Sequence, residues 1–216
     1  MPKLGRLGTY FAIVGLALSF VAGGVRAELT EGIDYATISP PQPTVAQGKI
    51  EVTEFFWYGC PHCYAFEPVL SQWLKSLPKD VEFRRVPADF GRWTPGAKLF
   101  YALDAIGEEQ RLHGELFDAI HVEHMDYTNQ AAVADWLEKE GVDRQKFVGA
   151  YNSLGVQANL RRAQQISKDY GIKGVPSVAI GGRYLTTNVM AGGFEELLEV
   201  MDQLIARLRA ERAVQQ

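Results

Sequence analysis

Only two cysteines occur in 216 residues, and they stand three apart, at Cys60 and Cys63. A chain so poor in cysteine has no disulfide framework to replace a hydrophobic core. A bridge between residues three apart closes a very short loop and constrains the unfolded chain little, so a purely structural disulfide is a poor account of the pair. Zinc is a poor account too. It wants four ligands, and the only candidates to complete the set are His121 and His124, more than fifty residues away. Basic charge is also scarce: 22 Lys and Arg stand against 26 Asp and Glu, a formal net charge of −4. No basic excess is available for nucleic acid or an anionic membrane surface. Long apolar runs are missing as well, apart from one near the start.

That run belongs to Met1–Ala27, where Lys3 and Arg6 precede an apolar stretch from about Tyr10 to Val21 and small residues lead to Ala27. This is the pattern of a secretory signal, with cleavage expected after Ala27. About a dozen apolar residues fall short of the roughly twenty that span a bilayer as a helix, so removal is favoured over retention as an anchor. Taking Lys3, Arg6 and Arg26 from the 22 basic residues leaves 19 against 26 acidic ones, a mature charge of −7. The remaining 189 residues suffice for one large domain, or a domain with an insertion, with a good core. The expected destination is an oxidising compartment, where a dithiol can serve as a disulfide donor.

The chain is organised around Glu54-Phe55-Phe56-Trp57-Tyr58-Gly59-Cys60-Pro61-His62-Cys63-Tyr64. An apolar run precedes the cysteines and helical spacing follows them (Phe66, Val69, Leu70, Trp73, Leu74, Leu77), which reads as strand, turn, helix. Cys60 therefore falls at a helix N-terminus, where free backbone N–H groups and the macrodipole favour an anion. A thiolate is the reactive form of cysteine, so the pair reads as a redox dithiol with Cys63 one turn further on and more buried. The central part of the strand Lys49–Tyr58 is apolar on both faces except for Glu54, the pattern of a strand in the middle of a sheet. A carboxylate there is costly unless it is paired or has work to do.

This stretch, with Gly174-Val175-Pro176-Ser177 downstream, resembles the DsbA family of bacterial periplasmic thiol:disulfide oxidoreductases over essentially the whole mature chain. Cys60-Pro61-His62-Cys63 is the specific part. An acidic first cysteine and strong oxidising power are known features of that family, carried over by the resemblance and not deduced from these residues. The resemblance implies a thioredoxin-like α/β fold with an inserted all-helical domain. The segments are then 28–91 and 171–216 for the thioredoxin-like part and 92–170 for the insertion. It also implies a buried Glu54 beneath the cysteines, suited to exchange a proton with Cys63 because burial raises a carboxyl pKa. Where the family carries a lysine opposite this glutamate, the sequence has Arg85, which pairs charge but does not deprotonate. Val175-Pro176 is expected cis and facing the cysteines, with the Val175 backbone free to pair with an extended client chain.

The remaining segments fit that frame. Glu28–Gly48, with Pro40, Pro41 and Pro43, reads as an extended arm carrying one edge strand near Tyr35–Ile38. A strand is expected over Val81–Ala88. Helices are expected over Thr94–Ile106, Glu108–His124, Gln130–Glu140, Asp143–Asn152 and Val156–Asp169, with glycines at their ends. Trp93, Phe100, Tyr101, Phe117, Trp136, Phe147 and Tyr151 read as the core of that helical unit. His113, His121 and His124 read as surface or capping residues, since a metal site would need further ligands. Ser177–Ile180, a Gly181-Gly182 turn and Arg183–Leu185 form a hairpin, and Phe194, Leu197, Leu198, Met201, Leu204, Ile205 and Leu208 make the apolar stripe of a C-terminal helix.

The expected function is donation of the Cys60–Cys63 disulfide to exported proteins that carry thiols, by a monomer in the Gram-negative periplasm. No cofactor beyond the disulfide and no metal are expected, and a quinone-linked membrane oxidase of the DsbB kind would reoxidise the pair. A helix dipole supplies at most about 2 kcal/mol, so the remaining thiolate stabilisation is assigned to turn N–H groups and to His62. A Cys60 pKa three units below ambient would raise the potential by roughly 90 mV. Two alternatives stand: a disulfide isomerase or reductase kept reduced, and a peptide-binding chaperone module in which the cysteines are incidental.

Overall fold

A computed structural model describes residues 1 and 28–214, so the expected signal sequence and its cleavage site lie outside the described residues. The strands are β1 (Ala36–Thr37), β2 (Ile50–Phe56), β3 (Val81–Pro87), β4 (Ser177–Ile180) and β5 (Tyr184–Thr187), in the spatial order β1-β5-β4-β2-β3. The helices are α1 (Pro61–Leu74), α2 (Thr94–Ala105), α3 (Glu109–His121), α4 (Gln130–Lys139), α5 (Arg144–Tyr151), α6 (Leu154–Asp169), α7 (Asn188–Ala191) and α8 (Phe194–Val214). β2 and β3 run parallel, joined by the α1 crossover that parallel strands require; the β2–β4, β4–β5 and β1–β5 pairs are antiparallel. This is the thioredoxin-like fold, with α2–α6 inserted between β3 and β4.

β2 is flanked on both sides, and all seven of its residues are buried. Alternation along it decides what each side chain meets. Ile50 and Val52 join Leu70 of α1 and the Leu197–Leu208 stripe of α8 in one core. Phe55 points the other way, to Ala163, Tyr170 and Ile172. Phe56 reaches a third core built by α2–α6, which also contains Cys60 and Cys63. The dithiol thus sits where the sheet and the helical unit meet.

Element ends shift by a few residues from the sequence expectation. α1 stops at Leu74, three residues early, and its chain then turns through Lys75, Ser76 and Leu77 by hydrogen bonds to carbonyls three residues back. The short α7 has no counterpart in the expectation. It depends on Thr187, whose hydroxyl accepts the Met190 N–H, and four residues leave no periodicity to read. Both Gly181 and Gly182 adopt positive φ (59° and 66°), which glycine takes without strain, in the three-residue link that joins Ile180 to its partner Tyr184.

Candidate active site

Cys60 is the N-cap of α1, with φ −91° and ψ 115°, and Pro61 occupies the first helical position, where its missing N–H costs nothing. The Cys60 sulfur accepts the Cys63 N–H at 3.4 Å, and its S–H donates to the Val175 carbonyl at 3.5 Å. No acidic residue lies in the first turn to compete for the helix N-terminus. The Cys60 pKa falls from 9.0 to about 6. The largest cause is the hydrogen bond from the Cys63 thiol. Burial opposes it, and the Cys63 and His62 N–H groups, then the His62 charge, add to it. His62 is exposed, and its charge ranks below the Cys63 thiol and the turn N–H groups among these causes. Cys63 is 1 % exposed, and burial, followed by the hydrogen bond and charge of Cys60, pushes its pKa well above the ordinary value.

Val175–Pro176 is cis, as is Ser39–Pro40. Beside the Val175–Pro176 segment lies a groove of about 630 Å³ whose lining includes Ile38, Lys173, Leu185 and Met190.

Under the dithiol the parallel register places Glu54 directly opposite Arg85. Glu54 is 2 % exposed and its Oε2 accepts Arg85 Nε–H at 3.1 Å. Burial raises the Glu54 pKa to about 7 against the lowering charge of Arg85. Arg84, one residue earlier, points to the opposite face and pairs with Glu51 at 3.1 Å, so the two arginines serve different sides of the sheet.

Three parts of the site were not expected. Glu67, four residues beyond Cys63 on the same helix face, takes both Arg85 Nη2 contacts at 2.9 and 3.0 Å. A carboxylate at that spacing among apolar residues was the available signal. His113 is the second, and the surface or capping role expected for it is wrong. It is 2 % exposed, with Nε2 3.5 Å from Glu67 and Nδ1 3.0 Å from both Glu109 and the Tyr58 hydroxyl. The sequence concealed this because Glu67 and Tyr58 approach from elements distant in the chain. The third is an aromatic wall: Trp93 leaves the helical core and stacks on Trp57 at 4.8 Å and 10°. Gly59 is wedged against this wall, since a Cβ there would lie 2.4 Å from Trp57 Cζ2 and 2.4 Å from the Tyr127 hydroxyl. His121 does have a structural role, bonding the Tyr58 carbonyl at 2.8 Å and stacking on Tyr64 at 4.8 Å.

An acidic, helix-capping thiol next to a buried, reluctant one, with a carboxyl titrating near neutrality below them, is suited to thiol–disulfide exchange. Comparisons with known proteins agree. A family model described as DSBA-like thioredoxin domain matches residues 93–199. The chain is 40 % identical over 200 residues to the thiol:disulfide interchange protein DsbA of Pseudomonas aeruginosa, covering 92 % of this chain and 95 % of that one. It is 38 % identical over 214 residues to DsbA of Burkholderia cepacia, covering 98 % and 100 %. The crystal structure of Pseudomonas aeruginosa DsbA superposes with a TM-score of 0.83 at 41 % identity, over 86 % of this chain and 97 % of that one. With sequence, fold and near-complete coverage in accord, this chain belongs to the DsbA family of thiol:disulfide oxidoreductases.

Proposed function

We propose that this oxidoreductase works as a donor: the Cys60–Cys63 disulfide passes to newly exported proteins in the periplasm. The observation that carries this reading is the contrast between the two sulfurs: Cys60 caps the helix N-terminus and accepts the Cys63 N–H, which favours its thiolate, while Cys63 is buried, which disfavours its own. A client thiolate attacks Cys60 Sγ, the Cys60–Cys63 bond breaks, and Cys63 leaves with the electron pair. Because Cys63 holds its proton tightly, it takes one from Glu54, which becomes a carboxylate beside Arg85. A second client thiolate then attacks the client sulfur of the mixed disulfide and Cys60 leaves as a thiolate. Two client thiols lose two protons in all; one ends on Cys63 and the other reaches solvent, with Glu54 restored. The client is oxidised by two electrons and the enzyme is reduced by two.

Val175 and Pro176 border the sulfur and the groove, and support a site in which a client's extended backbone lies across Cys60. The reduced pair requires a partner that accepts two electrons, and a quinone-linked membrane oxidase of the DsbB kind fits. With Cys60 at about 6, thiolate formation at pH 7 favours the reduced enzyme by about one pKa unit, or roughly 30 mV of added oxidising power. Burial of Cys60 opposes its ionisation and so limits this contribution. The test is the reduction potential in glutathione buffers at pH 7. A donor lies well above the thioredoxin value of about −270 mV, and a value near that figure assigns the protein to the reductants instead.

A further inference from the structure

His113 belongs to none of the steps above, yet it lies at the far end of the charge cluster that contains Glu54. The cluster is contiguous: Glu54 to Arg85, Arg85 to Glu67, Glu67 to His113, and His113 to Glu109 and Tyr58. Every element packed on the imidazole contributes. Its own helix α3 supplies Glu109 and the Phe117 ring, α1 supplies Glu67, β3 supplies Arg85 behind Glu67, and the end of β2 with the following turn supplies Phe56 and Tyr58.

Its charge does not balance without a mobile proton. Two carboxylates, Glu54 and Glu67, face one permanent cation, Arg85, and a third, Glu109, faces only the imidazole. The 3.5 Å contact of His113 with Glu67 is too long for a strong hydrogen bond, so the two groups interact through charge. Burial pushes the His113 pKa down, but Glu109 and Glu67 outweigh it and leave the imidazole a better base than usual. The His113 cation in turn helps hold Glu67 ionised and lowers the Glu54 pKa against the effect of burial.

We propose that His113 is a positioning residue for the dithiol reaction: its imidazolium, set between Glu67 and Glu109, governs the proton occupancy of Glu54 and so the delivery of the proton to Cys63. The proposal rests on the role given to Glu54 in the preceding section. Its site is reached from solvent, because Glu67, Arg85 and His113 line one cleft together with Gln110 and Asp118. A proton can therefore enter the cluster at the opposite end from the client.

The test replaces His113 with a neutral residue and follows the Glu54 carboxyl by carbon NMR. Removing a unit charge that lies beyond Arg85 and Glu67 from the carboxyl, at an effective dielectric of about 20, shifts a titration by roughly one unit. In H113Q the Glu54 midpoint should rise by about that amount, and the pH profile of client oxidation should move with it. H113K, which restores the charge, should return both. The ultraviolet thiolate titration of Cys60 should stay fixed in both variants, as His113 does not contact that sulfur. An unmoved Glu54 midpoint, or one that H113K does not restore, overturns the proposal. The unmutated protein offers a reading that survives any folding defect: the Glu54 resonance must show the His113 inflection as a second step, and a one-step curve is equally fatal. A low wild-type potential would sink the donor reading while leaving the Glu54 titration interpretable, so the two failures are separable.

Discussion

Cys63→Ala is the sharpest perturbation of the thiolate, because it removes the interaction that contributes most to it and leaves the backbone in place. In the dithiol form the Cys63 thiol hydrogen-bonds the Cys60 sulfur, and the Cys63 N–H at 3.4 Å remains after substitution. A hydrogen bond to a charged group is worth about 1.5–3 kcal/mol, and 1.36 kcal/mol is one pKa unit, so the Cys60 pKa should climb by roughly 1–2 units from its value near 6. His62→Ser should raise it less, since His62 is exposed and its charge ranks last among the causes. The two also differ in salt dependence. The His62 contribution is screened as ionic strength rises and the thiol hydrogen bond is not. The assay is ultraviolet thiolate absorbance against pH for the wild type and both variants, at low and high salt. A Cys60 titration unchanged in Cys63→Ala, or moved further by His62→Ser, refutes the account of why this sulfur is acidic.

The remaining predictions concern the carboxyl, the aromatic wall and the pH dependence of the redox states. Glu54 has a folded pKa raised from 4.5 to about 7, so its contribution to stability is complete below pH 4.5 and is lost as pH rises through 7. Glu54→Gln should therefore gain stability over the wild type by up to about 3 kcal/mol between pH 4.5 and 8 in urea melts, and a pH-independent difference would contradict the burial of a titrating carboxyl. Gly59→Ala places a methyl against Trp57 and Tyr127 and should cost about 1–3 kcal/mol, a fall of several degrees in Tm; melting within a degree of wild type would show the wall to be loose. Cys60 has a depressed folded pKa, so the extra stability it gives the dithiol form is lost as pH falls through 6. The Tm gap between dithiol and disulfide forms should narrow between pH 7 and 5, and a constant gap would separate the thiolate from the redox balance.

What was legible in the sequence was what is local. The apolar strand, the proline at the first helical position and the cysteine before it specify the capped thiol through neighbours in the chain. The five helices of the insertion were visible for the same reason: glycines mark their ends, and three of them begin at a side chain that binds N–H groups of the first turn, Asn129, Asp143 and Ser153. Contacts made across the fold were not visible. Tyr58 and His113 are fifty-five residues apart. A histidine four residues after a glutamate on an amphipathic helix looks the same in sequence whether the pair faces water or Glu67. Trp93 was misplaced likewise, because its stacking partner lies in the turn before Cys60 and not in the helices around it.

Arg85 shows why the misread histidine matters. An arginine between Glu54 and Glu67 keeps its charge at any pH the protein meets, so it can hold two carboxylates in place but cannot relay a proton between them. If Glu54 is to change its protonation state with each turnover, the compensating change has to come from a group that titrates in the same range. Cys60 lies on the client side and its charge is already committed to the thiolate. Tyr58 is pushed out of range by burial and the surrounding carboxylates. Of the groups in direct contact with the cluster, the imidazole is the one whose contacts with two carboxylates make it a better base than usual. A fixed cation next to the strand and a titratable one behind it divide the work: Arg85 sets where Glu54 sits, and His113 sets when it is charged.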